Sequence, residues 1–281
     1  MKKVAVIGLG IMGHGIADNF LKNDYDVIAW NRSSEKAKDL LAKGASLAKS
    51  PKEASEYADL VFEVTANDES SREMWLSDVG ILAGAKHGQF VITCATLSID
   101  WIKELSKHCE SKGLNFFDMP MTGSRIGAET GQLVLLVGGD ENKLNDIRKD
   151  LDAIARDVRY FGDTGSGTKY KLILNTLQAV HIAGMGQALR MAKSVGIDQR
   201  KVAEALIEIP GGIVTKAAWE SYLKQPVPIG FSVDWISKDL EYAKKMIDEG
   251  TYPLLEDVLR IYKDAIRQGF GKSDWTIINK L

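Results

Sequence analysis

Val4-Ala5-Val6-Ile7-Gly8-Leu9-Gly10-Ile11-Met12-Gly13, at the start of the chain, decides the fold. Val4 to Ile7 are four apolar, mostly β-branched residues directly after Lys2-Lys3, and they read as a fully buried strand. The chain then turns on Gly8 and Gly10, and Gly13 falls in the first turn of the next helix. The first glycine permits a tight turn. The second lets backbone approach a pyrophosphate, and the third lets helix and strand pack closely. The helix N-terminus offers free N–H groups and a positive dipole end to a phosphate. A helix over Gly15–Lys22 and a strand over Asp26–Trp30 complete a βαβ frame, so the turn is expected to hold a dinucleotide.

The end of the second strand bears on which dinucleotide. An acid about 20 residues past the glycines accepts from the ribose 2′-OH in NAD sites. Here the residues are Trp30-Asn31-Arg32-Ser33-Ser34. Arginine pairs with phosphate and stacks on adenine, while Asn and Ser add neutral donors, so NADP(H) is expected rather than NAD(H). Ser33 or Ser34 is also expected to cap a helix through Glu35–Ala42.

Composition excludes several classes. The 281 residues suffice for two ordinary domains. Net charge is −2 with 26% charged residues, which gives no global field for nucleic acid or an anionic membrane. No apolar run reaches the ~20 residues of a membrane span. The first strand begins at about residue 3, so no signal peptide is expected. Cys94 and Cys109 are widely spaced, as expected of reduced thiols, and the chain is expected to be cytoplasmic. The histidines His14, His87, His108 and His181 lack ligand spacing, so no metal is expected.

Strand-like runs continue at Leu60–Val64, Phe90–Thr93, Asn115–Phe117, Leu133–Val137 and Val158–Tyr160. Helical patterns lie between most of them, which is the pattern of a doubly wound, mostly parallel sheet. After the glycine-rich stretch at 162–167 the pattern becomes helical throughout. The helices are expected at about Thr168–Gly196, Gln199–Ile207, Ile213–Leu223, Val233–Glu249 and Pro253–Gln268. The expected architecture is an α/β Rossmann domain over 1–162 and an all-α domain over 163–281, joined by the long helix.

A dinucleotide site holds a cofactor only, so the chemistry lies elsewhere. On the long helix Lys171, Asn175 and Gln178 stand at i, i+4 and i+7, on one face of an otherwise apolar segment. Buried, that lysine would have its pKa lowered towards values useful for proton transfer. A solvent-facing polar stripe gives the same spacing, and periodicity leaves both readings open. The run Asp118-x-Pro120-x-Thr122-Gly123-Ser124-Arg125 follows a strand, and its backbone N–H groups suit a small anion; an ordinary long turn reads the same way.

These motifs occur in one order with Gly127-Ala128, Gly131, Gly165-x-Gly167-x-x-x-Lys171-x-x-x-Asn175, Phe231 and Ser237-Lys238-Asp239-Leu240. Together they resemble the β-hydroxyacid dehydrogenase family over essentially the whole chain. Gly123-Ser124-Arg125 with Ala128-Glu129 looks most like its glyoxylate/succinic semialdehyde reductase branch. The resemblance implies NADP(H)-dependent reduction of short aldehyde acids to hydroxy acids, or the reverse oxidation, with Lys171 as general acid/base. It implies substrate contacts from Thr122, Gly123, Ser124, Asn175, Phe231 and Asp239. It also implies cofactor contacts from the glycine turn (Gly8, Leu9, Gly10, Ile11, Met12, Gly13), from Asn31, Arg32 and Ser33, and from Thr65, Thr96 and Lys238. Two departures bear on substrate. Thr122 stands where the family usually has Ser, and Ala95 lacks a hydroxyl usual beside Thr96.

Imine reductases share the implied architecture but commonly carry Asp or Tyr where Lys171 stands. A 6-phosphogluconate dehydrogenase has a much longer C-terminal region, and relatives that serve as non-enzymatic scaffolds have lost the lysine. The long helix is apolar on several faces and carries small residues at Ala183, Gly184, Gly186 and Ala188. A homodimer or tetramer is therefore expected, with a small carboxylate substrate and neither nucleic acid nor membrane as partner.

Overall fold

The computed structural model describes residues 1–208, 212–246 and 253–281. The strands are β1 (Lys3–Ile7), β2 (Asp26–Trp30), β3 (Ser46–Leu47), β4 (Leu60–Glu63), β5 (Phe90–Thr93), β6 (Asn115–Asp118), β7 (Met121–Thr122), β8 (Leu133–Gly138) and β9 (Ala155–Gly162). The helices between them are α1 (Ile11–Lys22), α2 (Lys38–Ala42), α3 (Pro51–Tyr57), α4 (Asp68–Leu76), α5 (Ile81–Gly84), α6 (Ile99–Ser111), α7 (Ser124–Thr130) and α8 (Glu141–Leu151). There follow α9 (Ser166–Ser194), α10 (Gln199–Glu208), α11 (Gly212–Leu223), α12 (Val233–Lys245) and α13 (Pro253–Arg267).

The strands form one sheet in the order β3-β2-β1-β4-β5-β6-β8-β7, with β9 also paired to β8. Pairing is parallel from β3 through β6, and β8 runs antiparallel to β6 and β7. The order reverses between β1 and β4, so the carboxyl ends of these two strands flank a topological switch point, where α/β sheets bind ligands. Alternation along β1 sends Val4 and Val6 into one core and Ala5 and Ile7 into another, on opposite faces of the sheet. Phe20 and Phe62, 5.2 Å apart, anchor the first core. Trp75 and Trp101, both fully buried, anchor the second. Each fully buried phenylalanine contributes about 2–3 kcal/mol.

Two compact units divide the chain, Met1–Lys171 and Leu172–Leu281. The first contains the sheet and the opening of α9; the described residues of the second are predominantly helical. The expected strands and helices are present with shifts of a few residues at their ends. The end of the expected helix at Glu249 lies outside the described residues. Three details differ from expectation. Residues Ser124–Thr130, read as part of a loop, form α7, because α7 packs closely on α1. A Cβ on Gly15 would come 2.5 Å from the Ala128 carbonyl oxygen. The segment expected as one helix from Glu35 is a 3-10 turn, Ser34–Ala37, followed by the short α2. Ser33 holds the cap position of that turn but makes no capping hydrogen bond.

Cys94 and Cys109 are both buried free thiols. Among the described residues, no helix is long and apolar enough to cross a membrane.

Candidate active site

In the first unit, the turn after β1 is built by its glycines. Gly8 has φ +100°, and its N–H donates to the Trp30 carbonyl at 2.9 Å. A Cβ there would come 2.3 Å from the Val64 carbonyl oxygen, and one on Gly13 would come 1.9 Å from that of Gly8. At Gly10, the N-cap of α1, an added Cβ would meet nothing within 4 Å. Backbone therefore presses against backbone at Gly8 and Gly13 and borders open space at Gly10, where a pyrophosphate would approach the α1 N-terminus. This arrangement fits a dinucleotide.

Asn31 differs from its expected part as a simple donor. Its Oδ1 accepts from the Leu9 N–H at 2.8 Å, and its Nδ2 donates to the Ser33 carbonyl at 3.0 Å. It ties the glycine turn to the loop after β2, so its amide is already engaged. Arg32 and Ser33 beside it are exposed. Thr65 and Thr96, each partly buried, follow the carboxyl ends of β4 and β5.

Thr122 ends β7, in register with Val134 of β8. Gly123 at φ +123° and Ser124 at φ +53° then reverse the chain into α7. Left-handed backbone at a non-glycine residue such as Ser124 costs on the order of 1 kcal/mol. Arg125 does not turn its charge to this loop: its Nε donates to Glu129 one helical turn on, at 2.6 Å.

Lys171 lies half-buried near the start of α9. That start is fixed by Asp118, the last residue of β6, whose carboxylate is wholly buried. It accepts from the N–H groups of Gly165 at 2.6 Å and Thr168 at 2.7 Å, and from the Thr168 hydroxyl at 2.8 Å. Burial pushes its pKa up to about 6, against the pull of the three donors. Gly167 permits the contact, since a Cβ there would come 2.2 Å from the Leu136 carbonyl oxygen. The helix that carries Lys171 is thus pinned to the strand ends three residues before the lysine.

In the second unit, Asn175 is almost fully buried and its Nδ2 donates to Asp239 Oδ2 at 2.6 Å. The Lys238 ammonium lies 2.8 Å from Asp239 Oδ1 and 5.2 Å from the centre of the Tyr242 ring. Phe231 packs edge-on against Trp275 and tilted against Trp235. Three residues expected in the site, Asn175, Lys238 and Asp239, are therefore brought into one cluster. The polar face of α9 is graded, with Asn175 buried and Lys171 and Gln178 partly so. It is neither the solvent-facing stripe nor a wholly buried lysine.

Two acids had no expected role, Asp118, which only opens the loop motif, and Glu63. Each ends an apolar strand run (Phe116-Phe117-Asp118 and Val61-Phe62-Glu63), and a charge closing a buried strand is the signal that marks them.

The chain is similar to known proteins over both of its units. Residues 3–162 match the family model described as the NAD binding domain of 6-phosphogluconate dehydrogenase. Residues 165–281 match the one described as NAD-binding of NADP-dependent 3-hydroxyisobutyrate dehydrogenase. An uncharacterized oxidoreductase of Shewanella frigidimarina is 31% identical over 253 residues, covering 86% of this chain and 84% of its own length. An NAD-dependent L-serine dehydrogenase of Pseudomonas aeruginosa is 28% identical, covering 100% of this chain and 98% of its own. The structure of Psf3 in complex with NADP+ and 2-OPP superposes with a TM-score of 0.89 at 25% identity, covering 99% of both chains.

Proposed function

The chain belongs to the β-hydroxyacid dehydrogenase family, and from that premise we propose that it interconverts a short aldehyde acid and its hydroxy acid with NADP(H), Lys171 serving as general acid/base. That it is an oxidoreductase of this family using a nicotinamide cofactor follows from the family itself. The pinning of the Lys171 helix to the carboxyl ends of the sheet by Asp118 carries the assignment of Lys171. It keeps the start of the helix that carries Lys171 at the end of the sheet where α/β folds bind their ligands.

Bound nicotinamide supplies the hydride acceptor or donor. Gly8 to Gly13 cradle the pyrophosphate, with Thr65 and Thr96 at the neighbouring strand ends. Lys171 gives a proton to the developing alkoxide oxygen during reduction and removes it during oxidation. Thr122, Gly123 and Ser124 hold the substrate carboxylate, and the methyl group of Thr122 narrows that pocket. Asn175, fixed by Asp239, is an oriented amide for a substrate oxygen, with Phe231 and Lys238 in the same unit. The Gly123-Ser124-Arg125 variant supports glyoxylate or a semialdehyde as substrate. Ile173 and Leu177, exposed at 58% and 53% one turn apart on α9, support self-association.

The relative from P. aeruginosa is NAD-dependent by name, whereas Arg32 and Ser33, whose hydroxyl makes no capping hydrogen bond, support NADP here. Side-by-side titration of the protein with NADPH and NADH tests this. The wild type is expected to bind NADPH more tightly. Asn31→Asp combined with Arg32→Ala replaces a charge-assisted contact by repulsion and is expected to reverse the preference, by roughly 100-fold or more in the ratio of affinities. A wild type that prefers NADH would overturn the NADP assignment.

A further inference from the structure

Glu63 closes β4 and is completely buried. Alternation turns it, with Val61, towards the core that α3 to α6 cover. The Thr65 hydroxyl donates to its Oε1, and the Thr93 hydroxyl donates to its Oε2 at 2.5 Å. The Val64 N–H between Glu63 and Thr65 donates to the Ile7 carbonyl at 2.8 Å, and the Val64 carbonyl is the group against which Gly8 packs. Thr65 therefore stands beside the glycine turn, at the switch point of the sheet.

A hydroxyl has one proton to donate. With Glu63 ionised, the Thr65 proton is committed to the carboxylate. With Glu63 neutral, the acid donates to Thr65 Oγ1, and the Thr65 hydroxyl proton is released for an acceptor elsewhere. Thr93 is completely buried, whereas Thr65 is only partly so, and Thr65 alone of the pair can present its proton outside the core. We propose that Glu63 is a proton-linked positioning residue for nucleotide binding: as the neutral acid it makes the Thr65 hydroxyl a donor to a bound nucleotide oxygen, so that binding takes up one proton from solvent wherever Glu63 is ionised beforehand. This rests on the reading of the glycine turn as the nucleotide site.

The surroundings of Glu63 favour the neutral form, since burial raises its pKa against the pull of the two hydroxyls, the Trp75 indole N–H and the Thr65 backbone N–H. The Cys94 thiol, just past the end of β5, is itself raised far out of its usual range by burial and by Glu63. Asp118, in register with Thr93 on β6, is taken up by Gly165 and Thr168. Among the helices over this face the buried polar residues Ser55, Ser71 and Ser98 are neutral. Asp68 accepts from Ser98, and Arg72 and Glu104 pair with each other, the Arg72 guanidinium 4.1 Å from the Trp101 ring centre. The neighbouring Ile7 of β1 is apolar.

The test is the NADPH dissociation constant, read by fluorescence titration across the pH range for wild type, Glu63→Gln and Thr65→Val. Glutamine is an uncharged mimic whose amide donates at every pH. Wild-type affinity is expected to fall, approaching about tenfold per pH unit above the Glu63 pKa, relative to Glu63→Gln. Any titration of the nucleotide's own 2′-phosphate is common to the proteins and cancels in the ratio. Thr65→Val is expected to be weaker than wild type at low pH and to converge with it as pH rises, which keeps the test open if the Gln variant fails to fold. Tight binding with both ratios constant across pH would overturn the role of Glu63 alone. A wild type that binds neither NADPH nor NADH would overturn the nucleotide site, and this inference with it.

Discussion

Lys171→Ala is expected to lower turnover at least about 100-fold, the loss typical of a removed general acid, in both directions of the reaction. Lys171 is half-buried on the first turns of α9, and it has no part in the backbone packing of the glycine turn. Its side chain is only half-buried, so the fold is expected to survive. NADPH affinity should change little, because the cradle from Gly8 to Gly13 and the Asn31 clamp are separate from it. Steady-state kinetics and a nucleotide titration on the same preparation separate the two effects. Near-normal turnover would remove Lys171 from the chemistry. Lost NADPH binding with an intact fold would instead make it a cofactor contact.

The second large effect is expected at Asp118. Asp118→Ala strips the acceptor from two buried backbone N–H groups and one hydroxyl at the start of α9. Each unsatisfied buried donor costs about 1–3 kcal/mol, and removing one partner of a buried charged network costs about 3–5 kcal/mol in all. Chemical denaturation is expected to show a loss of that order, and turnover should fall as well because the helix start that aims Lys171 is freed.

The same carboxyl has a pH signature. Its pKa is raised to about 6 in the folded protein. Between the unfolded value, about 4, and that value the folded state binds the proton more tightly than the unfolded state. The contribution of Asp118 is therefore fully present below about pH 4, is lost as pH rises through about 6, and is flat above. Asp118→Asn lacks a titrating group and should lack that slope. An Asn variant whose stability keeps the wild-type slope across this interval would place the titration elsewhere.

Much of the fold was legible because long apolar runs report their own period. Val4–Ile7, Leu60–Phe62 and Leu133–Val137 are buried on both faces of a mostly parallel sheet and stand out as continuous apolar stretches. Short elements did not stand out. β3 and β7 are two residues each, too few for any period, and they exist because neighbouring strands offer free backbone groups. α7 was hidden by its glycines, which read as loop residues. The helix is held instead by Ala128, which packs on Gly15 of α1 nearly backbone to backbone, and Asn19 donates to the Ala128 carbonyl at 2.7 Å.

The candidate site was legible where residue type carries the chemistry, as at Gly8, Arg32 and Lys171. It was less so where geometry assigns the part. Asn31 is a clamp between two loops, Arg125 pairs with Glu129, and Asp118 and Glu63 organise hydroxyl and N–H donors from distant segments. In three of the four cases at least one partner lies 22 to 50 residues away, a separation that local pattern does not register.

The reaction itself is the most direct measurement: NADPH oxidation followed at 340 nm with glyoxylate, succinic semialdehyde and methylmalonate semialdehyde, and NADP+ reduction with the matching hydroxy acids. Turnover is expected with at least one of these short acids, faster with the phosphorylated cofactor than with NADH, and abolished to within about 1% in Lys171→Ala. A folded protein that binds NADPH yet turns over none of them in either direction, or that does so equally well without Lys171, would contradict the account.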